Sequence, residues 1–213
     1  MSFTKMVGGN KRKDGLGRNE NDYYPTPPCA TYALIEAESL HLDKHLSVPG
    51  SFVLEPAAGR GWMAGEIARH YPVMAHDVEE YSDPVFPLGA VVDYLKCVDL
   101  GAKAIITNPP YAKDMAQKFV EKALTEAPYV AALCRLTWAE SKKRYEMFKK
   151  HPPSRILFFS TRFSCDESRF DGVKVEGGMV AYAWWVWDKN RPSTTVDWIA
   201  PGIYERWRRS TRA

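Results

Sequence analysis

The sequence contains no apolar run near the roughly 20 residues that a membrane-spanning helix requires. Its first 21 residues hold no apolar core of the kind found in a secretory leader, so none is expected. The four cysteines, Cys29, Cys97, Cys134 and Cys165, stand far apart and form no Cys-x-x-Cys pair. That spacing argues against a zinc site and against a disulfide framework, and predicts a metal-free chain in a reducing cytoplasm. A strong charge bias is also missing, since 29 basic residues face 26 acidic ones. With 45% hydrophobic and 26% charged residues the chain lacks the composition of a disordered protein. At 213 residues it is long enough for one α/β domain with a self-sufficient core.

The near-neutral balance hides an asymmetry. Residues 1–21 carry Lys5, Lys11, Arg12, Lys13 and Arg18 against Asp14 and Glu20, and residues 189–213 carry six basic against two acidic residues. The stretch between them is net acidic. Basic ends on such a body suit either a polyanionic partner or plain solvated tails. Residues 1–21 read as a flexible basic segment, 22–188 as the folded domain, and 189–213 as a basic tail.

Along 22–188, short apolar runs alternate with helical stretches. Thr26-Pro27-Pro28 reads as a helix start, with Thr26 as N-cap and a helix to about residue 40. Strands are predicted at 51–55, 72–76, 90–92, 104–107, 129–134, 155–160 and 179–188, and helices at 62–70, 114–126 and 139–150. This alternation implies a mainly parallel sheet with helices on both faces, and ligands bind such sheets outside the carboxyl ends of the strands.

Two loops at those ends draw attention. Glu55-Pro56-Ala57-Ala58-Gly59-Arg60-Gly61 follows the first strand, and its small residues allow close backbone approach by a ligand, though they equally suit a tight βα turn. The next strand ends at Asp77, placed either to accept from a ribose diol or to cap a turn. Asn108-Pro109-Pro110-Tyr111 follows the apolar strand 104–107, and a stiffened turn alone does not account for its Asn and Tyr. An exocyclic amine on a purine is a poor nucleophile because its lone pair is delocalised into the ring. Acceptors aimed at its N–H groups favour the pyramidal form and stabilise the charge that develops on nitrogen. The Asn108 side-chain oxygen and the Pro109 carbonyl are such acceptors. Pro110 lacks a competing N–H, and Tyr111 offers a face on which a planar base can stack.

Together the Asn108–Tyr111 and Glu55–Gly61 segments resemble S-adenosylmethionine-dependent amino-methyltransferases. Asp22-Tyr23-Tyr24-Pro25-Thr26-Pro27-Pro28 is similar to the Tyr-x-Thr-Pro segment of phage and prophage DNA N6-adenine methyltransferases. The resemblance implies a Rossmann-like α/β methyltransferase fold with a mainly parallel seven-stranded sheet, in a bacterial or phage-infected cell. It implies that Tyr24, Thr26 and Pro27 hold the methionine end of S-adenosylmethionine. Glu55, Pro56, Ala57, Ala58, Gly59 and Gly61 would line its methionine and ribose region, Asp77 would bind the ribose hydroxyls, and Asp93 and Tyr94 would meet the adenine ring. Asn108, Pro109, Pro110 and Tyr111 would form the catalytic loop. Trp62 reads as a core anchor. Related chemistry on RNA adenine, cytosine N4 or a glutamine amide uses similar tetrapeptides.

A DNA substrate requires a flipped or single-stranded base and a basic grip on the backbone. Lys113, Arg135, Lys142, Lys143 and Arg162 are the cations expected to provide it, from a basic stretch that also holds Arg144, Lys149, Lys150 and Arg155. Phe163 is expected to wall the base. Trp138 suits either that role or core packing. With most of 22–188 absorbed by the methyltransferase core, sequence recognition is expected to be relaxed and to fall to the charged loop 164–178.

Overall fold

The structure, a computed structural model, describes residues 23–170, 175 and 177–212. The basic segment 1–21 lies outside the described residues.

The elements run α1 (Pro28–Leu46), β1 (Val53–Glu55), α2 (Trp62–Ile67), β2 (Val73–Asp77), β3 (Ala90–Val91), β4 (Ala104–Thr107), α3 (Met115–Glu126), β5 (Tyr129–Arg135), α4 (Lys142–Lys150), β6 (Arg155–Phe159), β7 (Tyr182–Asp188), β8 (Thr195–Ile199) and α5 (Ile203–Ser210). They build one eight-stranded sheet in the order β3-β2-β1-β4-β5-β7-β6-β8. β7 runs antiparallel to both β5 and β6, while the other pairs are parallel.

The central strands are mostly apolar, with polar residues at their carboxyl ends, because helices cover both faces. Successive residues of β4 and β5 divide between two cores. Ala104, Ile106, Tyr129, Ala131 and Leu133 pack with Leu34 of α1, Ile67 of α2 and Ile203 of α5. Ile105, Val130, Ala132 and Cys134 pack with Phe119 and Val120 of α3 and Met147 of α4. β7 follows the same alternation, with Trp184 on the first face and Trp185 and Trp187 on the second.

Three departures from the sequence reading have physical causes. Helix α1 continues past residue 40 because Leu42 is fully buried and His45 Nε2 meets Asp188 Oδ1 at 3.0 Å. Its N-cap is Pro27, without a side-chain bond, so Thr26 is free for another task. The stretch from 189, expected as a tail, contributes an eighth strand and a fifth helix instead. β8 pairs with β6, and α5 sets Trp207 Nε1 on Glu66 Oε2 at 2.9 Å and Arg206 on Glu36. Arg191 likewise faces the buried Glu38 at 3.4 Å, so part of this positive charge is spent within the fold.

Among the described residues no helix is long and apolar enough to cross a membrane, and no cluster of His, Cys, Asp and Glu is arranged to hold a metal ion.

Candidate active site

β1, β4 and β2 lie side by side, and their carboxyl ends open into a cavity of about 230 Å³. Helix α2 lies on one face of the sheet there and α3 on the other. Tyr24, Thr26, Glu55, Pro56, Ala57, Ala58, Asp77, Asp93, Tyr94, Asn108 and Pro110 all line the cavity. Of the positions assigned to the cofactor, Pro27, Gly59 and Gly61 are not among the lining residues.

Gly61 opens α2 with φ 86°, in the left-handed region. A Cβ there would lie 2.6 Å from Phe86 Cβ and 2.8 Å from its carbonyl oxygen. Gly61→Ala is therefore expected to cost about 2–4 kcal/mol through strain and overlap, visible as a Tm lowered by roughly 5–15 °C in thermal unfolding. Gly59 also has a positive φ, and a Cβ there would run into the Tyr23 ring.

Asp77 fixes the loop from below. Its Oδ2 accepts from the Gly59 N–H at 2.6 Å and its Oδ1 from the Glu79 N–H at 3.0 Å. Burial nevertheless raises its carboxyl above the usual range. Glu55 is only 2% exposed, and its Oε2 has no hydrogen-bond partner. Burial, and then the charge of Asp77, push its carboxyl well above the ordinary carboxylate value. Asp93 accepts from the Leu95 N–H at 3.1 Å, which holds its carboxylate at the turn Tyr94–Lys96. The Tyr94 hydroxyl donates to Glu126 Oε2 at 2.6 Å, leaving its ring on the cavity wall. Three carboxylates thus line the cavity, and no Lys, Arg or His is among its described lining residues.

Asn108 sits at the end of β4. Its Nδ2 donates to the Tyr24 carbonyl and to Thr26 Oγ1, both at 3.0 Å. With both N–H groups engaged, the amide orientation is fixed and Oδ1 is left as an acceptor. Oδ1 takes one bond from the Tyr111 hydroxyl at 2.6 Å, and that hydroxyl also lies 2.9 Å from the Leu133 carbonyl. Pro109 is buried. Tyr111 does not present an open stacking face: the Arg135 guanidinium lies over its ring at 4.8 Å, and Tyr24 meets it edge-on at 6.0 Å. Burial keeps the phenol well above its ordinary pKa.

The residues assigned to nucleic acid divide. Arg135 lies against Tyr111 and Tyr24, at 5.3 Å from the latter. Lys142 and Lys143 are exposed at the start of α4, where Lys143 Nζ reaches Asp114 Oδ2 at 2.9 Å, three residues beyond Tyr111. Arg162 is exposed just after β6. The side chain of Lys113 lies outside the described residues. Phe163 is corrected to a core position: it is 2% exposed, because its ring is packed between Tyr182, stacked at 5.2 Å, and Phe159, edge-on at 4.8 Å. Trp138 is also core, packed edge-on against Phe148, Trp185 and Trp187. Arg155 is the first residue of β6, at the amino end of the strand, where it pairs with Glu38 and Asp197.

Trp62 lines the cavity rather than only anchoring the core. Sequence reasoning also missed Tyr23, Tyr81, Met115 and Phe119 on the wall. For Tyr23 a signal existed: it is the neighbour of Tyr24 in the Tyr-Tyr-Pro-Thr-Pro segment. Met115 and Phe119 carried one too, as residues four apart on the helix that follows the tetrapeptide.

The strand order with its antiparallel β7, and the cavity at the carboxyl ends, define a Rossmann-like methyltransferase fold. Similar solved structures include a modification subunit assigned to a type I restriction enzyme of Vibrio vulnificus, at 13% identity and a TM-score of 0.55, covering 91% of this chain and 54% of that one. Another is a protein assigned as an RNA methyltransferase from Pyrococcus horikoshii, at 16% identity and a TM-score of 0.54, covering 79% and 87%. A third is DrdV in complex with DNA, at 16% identity and a TM-score of 0.51, covering 83% and 28%. This chain thus spans about half of the first protein and a smaller share of the third. No family model and no curated protein sequence matches it.

Proposed function

We propose that this protein transfers a methyl group from S-adenosylmethionine to the N6 amine of adenine in DNA, with a relaxed sequence preference. The observation that carries the reading is the double anchoring of Asn108. Its amide is locked by Tyr24 and Thr26 at the cavity wall, so Oδ1 is the acceptor; it takes one bond from the Tyr111 hydroxyl and keeps a second lone pair. An acceptor held in advance of reaction stabilises charge developing on an attacking amine without reorganising first.

The cavity fits the proposed cofactor by its chemistry. S-adenosylmethionine supplies an electrophilic methyl on a cationic sulfonium. Asp77 and Asp93, joined by Glu55 once a cationic ligand favours its ionised form, provide a negative lining for a ligand that carries positive charge, and Glu55 Oε2 is without a hydrogen-bond partner in the protein. Asp77 keeps free lone pairs for a diol, and the Tyr94 ring offers an apolar wall for a base. Around the site, Arg135, Lys142, Lys143 and Arg162 follow the carboxyl ends of β5 and β6, where they can grip phosphates. Arg135 must leave the Tyr111 ring before a base can stack there. The described strands form one sheet, and the charged loop 164–178 is the segment we assign to sequence reading.

The test is transfer of labelled methyl from S-adenosylmethionine to unmethylated duplex DNA, single-stranded DNA and RNA, followed by nucleoside analysis. N6-methyladenine in DNA, spread over many sequence contexts, is the expected product. Labelling of RNA alone keeps the amine chemistry and overturns the polymer, an outcome made concrete by the RNA assignment of one structural neighbour. A single strict site of five or more base pairs overturns the relaxed preference.

A further inference from the structure

Glu167 is not part of the cavity wall, yet it gathers two side chains of that wall and a third from the loop after β1. Its Oε2 accepts from Arg60 Nη1 at 2.8 Å. Its Oε1 accepts from Trp62 Nε1 at 2.9 Å and also from the Tyr23 hydroxyl. Tyr23 and Trp62 are wall residues, and Arg60 stands between the two glycines of the loop after β1. The donors come from the segment before α1, from the glycine loop and from the first residue of α2. Glu167 comes from a different region, the turn Glu167–Arg169 after β6.

The contact is broader than one carboxylate. Buried Phe170 meets Trp62 edge-on at 5.1 Å. Arg60 extends the tie to the loop after β2, with Nη2 on Asp83 Oδ2 and Nε on the Asp83 carbonyl, both at 2.7 Å. Tyr23 is held at both ends, its ring against Gly59 and its hydroxyl on Glu167. Without Glu167, the Trp62 N–H and the Tyr23 hydroxyl lose their shared acceptor, Arg60 keeps only Asp83, and the angle of both rings to the cavity rests on packing alone.

We propose that Glu167 is a positioning residue for the cofactor. By fixing Tyr23 and Trp62 it sets the affinity of the cavity, and it makes that affinity depend on the segment after β6. It acts through those rings and touches no reacting atom, so it governs binding rather than the chemical step. The inference rests on S-adenosylmethionine as the ligand of the cavity, and is independent of which amine receives the methyl group.

The test uses the full chain and calorimetric titration with S-adenosylmethionine and with S-adenosylhomocysteine. Glu167→Ala is expected to raise Kd about tenfold for both ligands, the scale of losing hydrogen bonds to one charged acceptor. Glu167→Gln keeps an acceptor oxygen and is expected to lose only about threefold. The KM for S-adenosylmethionine should follow Kd, while kcat at saturating cofactor stays within about twofold. Wild-type affinity in both variants overturns the proposal. So does a lowered kcat with unchanged KM, or a lower Tm of the ligand-free protein with affinity kept. Should Glu167→Ala fail to fold, Glu167→Gln carries the same comparison. A wild-type protein that binds S-adenosylmethionine but labels no nucleic acid defeats the acceptor reading and leaves this one standing. A wild-type protein that binds neither ligand defeats both.

Discussion

Replacing Asn108 with alanine is expected to lower kcat for methyl transfer about 10²–10³-fold, the usual scale for losing one preorganised acceptor at a reacting centre. The geometry separates this loss from a loss of cofactor. Asn108 also donates to the Tyr24 carbonyl and Thr26 Oγ1, so the alanine variant leaves two acceptors unpaired at the cavity wall. That second effect is expected to raise Kd for S-adenosylmethionine only a few-fold, because both acceptors can turn to water. Asn108→Asp keeps an oxygen in place but loses both N–H groups. The Thr26 hydroxyl can donate to it, whereas the Tyr24 carbonyl cannot, so its activity is expected between wild type and alanine. Single-turnover transfer at saturating cofactor, beside direct titration, resolves the two effects. Equal loss in kcat and in cofactor affinity would make Asn108 a structural pin and not an acceptor.

The parts of this site that lie on the sheet were legible in the sequence because their signals are local. The apolar strand Ala104–Thr107 ends where the tetrapeptide begins, and a strand end in a parallel sheet already says where a ligand sits. Glu55 and Asp77 were found in the same way, as the last residues of β1 and β2. What was not legible depends on contacts between distant segments. Thr26 fits a helix cap by its sequence, and only the fold, by bringing β4 beside it, turns it into the partner of Asn108. Trp62 reads as core until a loop more than a hundred positions away places Glu167 on its N–H. Tyr111 reads as an exposed platform, and only the arrival of β5 covers it with Arg135.

The C-terminal region shows the complementary failure. β8 is an edge strand with four of its five residues exposed; Thr195-Val196-Asp197-Trp198 does alternate, but the run is short and its apolar Val196 and Trp198 stay exposed instead of joining the core. Helix α5 did carry a pattern, with Ile203, Tyr204 and Trp207 on one face, but its arginines dominated the reading. Ion pairing with Glu36 then converts a charge that looked free into part of the packing against α1. Net charge per segment is thus a poor guide to a binding surface until its partners are known.

Glu55→Gln is expected to move stability and binding in opposite directions. In the ligand-free protein Glu55 is buried, close to Asp77, and has an oxygen without a partner. Its carboxyl holds a proton more firmly in the fold than in the unfolded chain. The folded state therefore binds more protons from the ordinary carboxylate pKa up to the raised value. Stability falls as pH rises through that window and stays reduced above it. Glutamine removes this penalty, and the Tm of the ligand-free variant at neutral pH is expected to rise by a few degrees, equivalent to about 1–2 kcal/mol. A cationic ligand in the cavity reverses the preference of Glu55, because positive charge favours the carboxylate. Cofactor binding by the wild type should then release a proton and tighten as pH rises toward the raised pKa. In Glu55→Gln that pH dependence should vanish and the affinity should drop about 30–100-fold, as expected for a buried charge-assisted contact. Thermal unfolding of the ligand-free proteins and calorimetry in buffers of different ionisation heat measure both sides. A variant that is less stable than wild type, with pH-dependent binding intact, would assign Glu55 to the framework of the fold instead of to its ligand.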